Sequence, residues 1–284
     1  MGARPSLCMV VRNEAARLAR CLDSVQGLAG EMIVVDTGST DATARIAAGY
    51  GARVLDFDFS VVDFAAARNY GLAHASARWI LVLDADEVLH SASAPLIEQL
   101  VARDENAGYY LRRFNHQAGS EKPTDDYVVR LFPNHPAFRY RGRVHETVDA
   151  SILAGGGRLV RTPIRIDHDF APDRDARRRR NLRYLAILRD EITADPGDDS
   201  RLDFLAAEYH QLGMFDQATE TAERIVRARP HDPRAHLNAG VYHLIYKPDR
   251  RRARGDFEQA LRLRPGYAEA RAFLDLMDQQ ERAH

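Results

Sequence analysis

The run "WILVLDADEVL", residues 79–89, leads five apolar residues straight into Asp84, Asp86 and Glu87. An apolar run of this length reads as a buried strand, and residues two apart on an extended chain point to the same side. Asp84 and Asp86 therefore share one face, where uncompensated carboxylates raise one another's pKa. A divalent cation bound together with diphosphate oxygens relieves that conflict. Mg²⁺ or Mn²⁺ takes oxygen ligands and neutralises charge that develops on a phosphate leaving group. The alternative for any single D-x-D is a solvated loop whose acids start a helix. Two further groups bear on the choice. Asp36 closes the run "EMIVVD", where it can accept hydrogen bonds from the following turn "TGST" or from the N–H of a uracil-like base. Arg68, in "FAAARNYGL", can face a nucleotide or a helix surface.

The elements that must carry these residues alternate. Ser6 to Val11 reads as a strand and Glu14 to Gln26 as a helix, with Ala15, Leu18, Leu22 and Val25 at helical spacing. Glu31 to Asp36 is a second strand, followed by a helix start with Ser39 or Thr40 as N-cap. Arg53 to Phe57, Phe64 to Ala75 and Trp79 to Leu83 continue as strand, helix and strand. Strand–helix alternation implies parallel βαβ units covered on both faces. Ligands gather beyond the carboxyl ends of such strands, where Asp36 and Asp84 stand. From Gly108 the runs "GYYLRRFNH", "YVVRLFP" and "GGRLVRTPIRIDH" lack helices of comparable length between them, so they read as an antiparallel addition. A boundary is expected near Ala171-Pro172-Asp173.

Beyond that boundary the chain reads as helical and it repeats. Ala218, Ala222, Ile225 and Pro230 recur as Ala253, Phe257, Ala260 and Pro265 at an offset of 35, close to the roughly 34 residues of a tetratricopeptide repeat. Upstream helices carry Leu202, Ala206 and Tyr209 in one unit and Leu237 and Gly240 in the next. The expected organisation is an α/β domain over 1–171, a helical linker over 172–198, and about two repeats plus a terminal helix over 199–284.

Composition excludes several classes. The 284 residues carry a formal charge of −1, which points to neither nucleic acid nor an anionic membrane as a partner. No apolar stretch approaches the roughly 20 residues of a membrane span, and a cytoplasmic location is expected, with the inner face of the membrane as a peripheral one. Cys8 and Cys21 read as buried thiols of a reducing compartment. Because only Lys122 and Lys247 are lysines, the run Arg174, Arg177 to Arg180 and Arg183 reads as a solvated helix face rather than an anion site.

Taken in order, "SLCMVVRNEAARLARCLDSV", "IVVDTGSTDATARIAAGYGARV", "FAAARNYGLAHASARWILVLDADEVL" and "YVVRLFP…GRVHETV" resemble a family-two inverting glycosyltransferase of the GT-A fold. The subgroup is similar to lipooligosaccharide core glucosyltransferases that carry C-terminal tetratricopeptide repeats. The resemblance implies an α/β, Rossmann-like mixed sheet that binds a nucleotide-sugar, usually a UDP-sugar, followed by an all-α repeat domain. It also implies a divalent metal and inversion at the anomeric carbon. By position it places the backbone of Val10, Val11 and Arg12, with Asp36 and Arg68, on the nucleotide, Asp84 near the ribose and sugar, and Asp86 on the metal. Many members have a second aspartate after the one matching Asp36; here that place holds Thr37.

Inverting displacement also needs a base for the acceptor's proton. The subgroup's His-Glu pair matches His145 and Glu146, with Glu146 as the base; the alternative is a surface glutamate beside a packing histidine. His168 falls where the subgroup tends to have a histidine that completes the metal shell or holds the diphosphate, and a structural histidine is the alternative. The acceptor is expected to be a glycan, a glycolipid or a protein, with a protein partner on the repeats as a further expectation. A dehydrogenase or pyrophosphorylase is disfavoured because "RNEA" stands where a glycine-rich phosphate loop belongs. The rival from another class is a repeat scaffold with an inactive transferase domain.

Overall fold

The computed structural model describes residues 4–117, 122–170 and 174–282. The chain divides into two units, Met1–Pro172 and Asp173–His284. The boundary expected at Ala171-Pro172-Asp173 lies outside the described residues, as does the side chain of Arg174.

The first unit is built on an eight-stranded mixed sheet in the order β3-β2-β1-β4-β7-β6-β8-β5. Its strands are β1 (Ser6–Val11), β2 (Glu31–Asp36), β3 (Arg53–Asp56), β4 (Trp79–Val82), β5 (Glu87–Leu89), β6 (Ala107–Gln117), β7 (Thr124–Pro133) and β8 (Arg158–Phe170). The first three and β4 are mutually parallel. Helices α1 (Leu18–Ser24), α2 (Thr43–Gly49), α3 (Phe64–Ala73), α4 (Ala94–Val101) and α5 (Asp149–Ala154) accompany them. Alternation along β1 and β4 divides the core between two faces. Leu7, Met9, Val11, Trp79 and Leu81 pack with Leu18, Cys21 and Leu22 of α1. Cys8, Ile80 and Val82 pack with Ala65 and Leu72 of α3.

Three local expectations change. The helix expected from Glu14 begins at Leu18, because residues 14–17 form turns instead. Neither Ser39 nor Thr40 caps α2, which starts at Thr43 with Ala42 as N-cap. Asp41 accepts from the Thr43 N–H at 2.9 Å, while Ser39 and Thr40 turn toward Asn13. The strands after Gly108 are only partly antiparallel: β6 pairs antiparallel with β7 but parallel with β8. The stretch between Pro133 and Arg158, with α5 in it, is long enough for the crossover that a parallel return needs. β8 then runs antiparallel to β5, matching His168 with Glu87.

The second unit is helical: α6 (Arg174–Ala194), α7 (Leu202–Gln211), α8 (Phe215–Ala228), α9 (Pro233–Ile245), α10 (Arg250–Leu263) and α11 (Ala268–Arg282). The repeated positions Ala218, Ala222, Ile225, Ala253, Phe257 and Ala260 are all buried. A Cβ at Gly240 would lie 2.6 Å from Phe257 Cε1, so glycine is what lets α9 and α10 approach. Pro230 and Pro265 follow the ends of α8 and α10, as residues that cannot continue a helix must. The segment expected as a linker is mostly α6, which packs on α7 as part of this unit. Arg178 to Arg180 and Arg183 are exposed on it, as a solvated face requires.

Candidate functional site

The parallel strands end on one edge, and Val11 is in register with Asp36 there. The turn after β2 is tightly tied. Asp36 is 5 % exposed, and its Oδ1 accepts the N–H groups of Gly38 at 3.1 Å and Ser39 at 2.8 Å. Thr37 donates both its N–H and its hydroxyl to the Val11 carbonyl, each at 3.0 Å. One oxygen of Asp36 and the carbonyl of Val11 are thus occupied locally, and the Thr37 hydroxyl is turned inward. Arg12 is exposed beside them. Asn13, in the left-handed region at φ 56, a conformation asparagine tolerates, accepts from the Thr40 N–H at 2.8 Å and joins the two loops.

Beyond β4 the repulsion posed by the acids is resolved by the protein's own arginines. Asp84 accepts from Arg68 Nη2 at 2.8 Å through Oδ1 and from Arg130 Nη2 through Oδ2. Glu87 is fully buried; it accepts from the same Arg130 Nη2 at 2.6 Å and from the Asp84 N–H at 3.0 Å, with Arg113 Nη1 at 3.4 Å. Burial would raise the pKa of Asp84, but Arg130 and Arg68 outweigh it and hold the carboxyl well below the usual carboxylate range. The expectation that a cation neutralises this whole cluster is therefore corrected for Asp84 and Glu87. The acids do not start a helix either: Glu87 begins a strand, and Asp84 and Asp86 are half-buried.

Asp86 lacks an arginine among the described residues. Its Oδ2 lies 3.3 Å from His168 Nε2, while His168 Nδ1 meets Asn115 Oδ1 at 2.8 Å. Burial lowers the His168 pKa, but the hydrogen bond and charge of Asp86, with Glu87, raise it above the ordinary histidine value. Glu14, half-buried after β1, is raised by burial and then by Asp86; Arg17, at 3.7 Å, opposes this. Among the described residues no three His, Cys, Asp or Glu side chains converge as a ready-made cage. Asp86 and His168 fit a smaller donor set, in which two protein ligands are completed by substrate phosphates and water.

Glu146 reaches the same site from the loop after β7. Its Oε1 accepts from Arg68 Nε at 2.6 Å, with side chains 12 % and 10 % exposed. His145, beside it, is half-buried and holds φ 51, in the left-handed region. The Arg141–Thr147 backbone pair closes the loop around them. Arg68 lies inward: its Nη1 is buried, and its guanidinium sits 5.4 Å from the Tyr140 ring. Arg68, expected on the nucleotide, meets two carboxylates in this structure, Glu146 and Asp84.

Sequence reasoning thus brought Asp84, Asp86, Glu87, Glu146, Arg68 and His168 to attention, but missed Arg130, Arg113 and Glu14. A signal for Arg130 existed. It is one arginine inside the apolar run "YVVRLFP", and an arginine buried in a strand requires a carboxylate partner.

The glycosyl transferase family 2 profile matches residues 6–167, more than half of the chain. The chain belongs to glycosyl transferase family 2. It is 43 % identical over 152 residues to a TPR repeat-containing protein of Synechococcus elongatus, covering 54 % of this chain and 37 % of that one. It is 33 % identical over 112 residues to the lipopolysaccharide core biosynthesis glycosyltransferase LpsC of Rhizobium meliloti, covering 38 % and 41 %. The chain therefore spans about two fifths of the length of these curated relatives. Among solved structures it is similar to the glucosyl-3-phosphoglycerate synthase of Mycobacterium tuberculosis, at 18 % identity over 62 % of this chain and 75 % of that one, with a TM-score of 0.42. Among the described residues no helix is long and apolar enough to cross a membrane.

Proposed function

We propose that the first unit is an inverting glycosyltransferase that moves a sugar from a nucleotide-sugar, a UDP-sugar in the first instance, to a hydroxyl of a glycan or glycolipid. The observation that carries this reading is the line Asp84–Arg68–Glu146 at the carboxyl edge of the parallel strands, in a chain of family 2. The loops ending at Arg12 and Asp36 flank the place for the nucleotide, and Asp84 faces the ribose and sugar. Asp86 and His168 would hold a divalent cation, which when bound neutralises charge on the departing diphosphate. The acidic surplus of Asp86 and Glu14, unlike the compensated Asp84 and Glu87, supports a cation there.

Glu146 is the base. Its Oε1 is fixed by Arg68, and its Oε2 has no hydrogen-bond partner among the described residues, so it is available to the acceptor hydroxyl. As the acceptor oxygen bonds to the anomeric carbon, its proton passes to Glu146 and the bond to the diphosphate breaks, the electron pair leaving with the phosphate oxygen. The reading is tested by thermal melts with UDP-, GDP-, CMP- and dTDP-sugars and Mn²⁺, followed by turnover of the stabilising donor. Glu146→Gln is expected to cut turnover at least ~100-fold, within the range of general-base catalysis. Turnover unchanged in this variant removes the base assignment.

A second reading, a protein acceptor gripped by the repeats, draws on a cavity of about 410 Å³ in the second unit, lined by Ala206, His210, Asn238, Tyr242 and Tyr246. Labelled sugar recovered in protein rather than in lipid or polysaccharide would favour it.

A further inference from the structure

We infer that Arg68 is a positioning residue that ties the donor side of the site to the base, rather than a ligand of the nucleotide. The inference rests on the reading of Glu146 as base. One planar guanidinium meets Glu146 through Nε at 2.6 Å and Asp84 through Nη2 at 2.8 Å. Its remaining nitrogen, Nη1, is buried without a hydrogen-bond partner among the described residues, as is the Tyr140 hydroxyl, and both residues line a small cavity of about 10 Å³. Each nitrogen thus faces the interior or a carboxylate, and the side chain is 10 % exposed. To reach a diphosphate, Arg68 would have to abandon both carboxylates at once.

The surrounding contacts serve the same end. Helix α3 holds the segment bearing Glu146 at three levels. Phe64 N–H donates to the Arg143 carbonyl at 2.8 Å. Asn69 donates to the Tyr140 carbonyl and accepts from its N–H, both at 2.9 Å. Arg68 itself holds Glu146. Asp63 caps the helix by accepting from Ala66 N–H at 2.8 Å, so the anchor is fixed at its start. Residues 63–69 therefore form a rigid rail to which the base loop, with its left-handed His145, is pinned. A planar fork that serves two carboxylates at fixed angles is a task for arginine; the single ammonium of lysine cannot reproduce it.

Consequently Arg68 and Glu146 act as one unit in turnover while contributing little to nucleotide affinity. The test uses the full chain with UDP and Mn²⁺ as the binding probe and turnover of the donor selected above. Arg68→Lys is expected to change UDP affinity by less than ~3-fold while lowering kcat at least ~10-fold, as a base displaced by about an ångström would. Adding Arg68→Lys to Glu146→Gln should cost less than ~3-fold more, because coupled residues are not additive. Asn69→Ala, which leaves Arg68 and Glu146 in place, should lower kcat in the same direction without weakening UDP, and it stands in should Arg68→Lys fail to fold. UDP affinity falling more than ~10-fold with kcat intact at saturating donor would make Arg68 a nucleotide ligand and overturn the inference. So would losses from Arg68→Lys and Glu146→Gln that simply multiply. Unchanged turnover in Glu146→Gln alone is a different failure, that of the base assignment itself.

Discussion

Two clusters of buried charge, one in each unit, differ in what they leave over. In the second unit His243, 5 % exposed, lies between Asp256 at 2.9 Å on Nδ1 and Glu223 at 3.1 Å on Nε2, with Arg252 on Glu223 at 2.8 Å. Burial opposes the charge of Glu223, but His243 and Arg252 hold its pKa below the ordinary value. Both ring nitrogens are occupied, and the group joins α8, α9 and α10 into one stack. In the first unit Asp84 and Glu87 are equally well satisfied by Arg68 and Arg130, whereas among the described residues Asp86 has only His168 at 3.3 Å and Glu14 only Arg17 at 3.7 Å beside it. Buried charge alone therefore marks no active site. What marks this one is a pair of fully compensated carboxylates beside weakly compensated ones at the ends of parallel strands.

The largest expected effect tests the interior half of that contrast. Arg130→Met strands Asp84 and Glu87 without their shared cation, and breaking a buried pair by removing one partner costs about 3–5 kcal/mol. Trp79, the one tryptophan and buried in the first unit, reports the loss in urea unfolding. Acid should act through the same group. The folded pKa of Asp84 is depressed, so its stabilisation is complete above the unfolded value of about 4. It is lost only as pH falls through the lower folded value. Trp79 fluorescence should accordingly stay native at pH 4 in wild type.

The exposed half is sharpened by Asp86→Ala. With a donor sugar and Mn²⁺ at 100-fold over Kd, wild type should gain about 2.7 kcal/mol, and the variant almost none. Its ligand-free stability should move by no more than ~0.5 kcal/mol. In the second unit, His243→Gln should cost about 1–3 kcal/mol in the helical transition followed by circular dichroism, with turnover and the Trp79 transition unchanged. A fall in turnover would break the contrast. The smallest effect concerns the two thiols. Burial pushes Cys8 up to about 12 and Cys21 well above the ordinary thiol value, the latter helped by Glu87 and Asp84. Neither should react with a thiol reagent at pH 8 in the native protein, since the thiolate is the reactive form, and both should react once urea unfolds it.

Local signals were legible and non-local ones were not. The apolar runs ending at Val11 and Asp36 gave strands with the bounds the structure has, because alternation and punctuation are properties of neighbours in sequence. The 35-residue offset located the helix pairs for the same reason. The parallel pairing of β6 with β8 could not be read from either strand alone, since register depends on a crossover. That pairing, through β8 and β5, is what sets His168 beside Asp86. Arg130 was overlooked, and Glu87 was read only as part of an acidic run, because charge was weighed by motif rather than by burial. The cap of α2 was misplaced because Ser39 and Thr40 are used by Asn13, a partner 26 and 27 residues away.

The most direct measurement is a crystal structure of the full chain with UDP and Mn²⁺. The account requires the ion against Asp86 and His168, the diphosphate between it and the loops after β1 and β2, and Arg68 still on Asp84 and Glu146. An ion bound elsewhere, with those two side chains bare while the nucleotide is held, would contradict it.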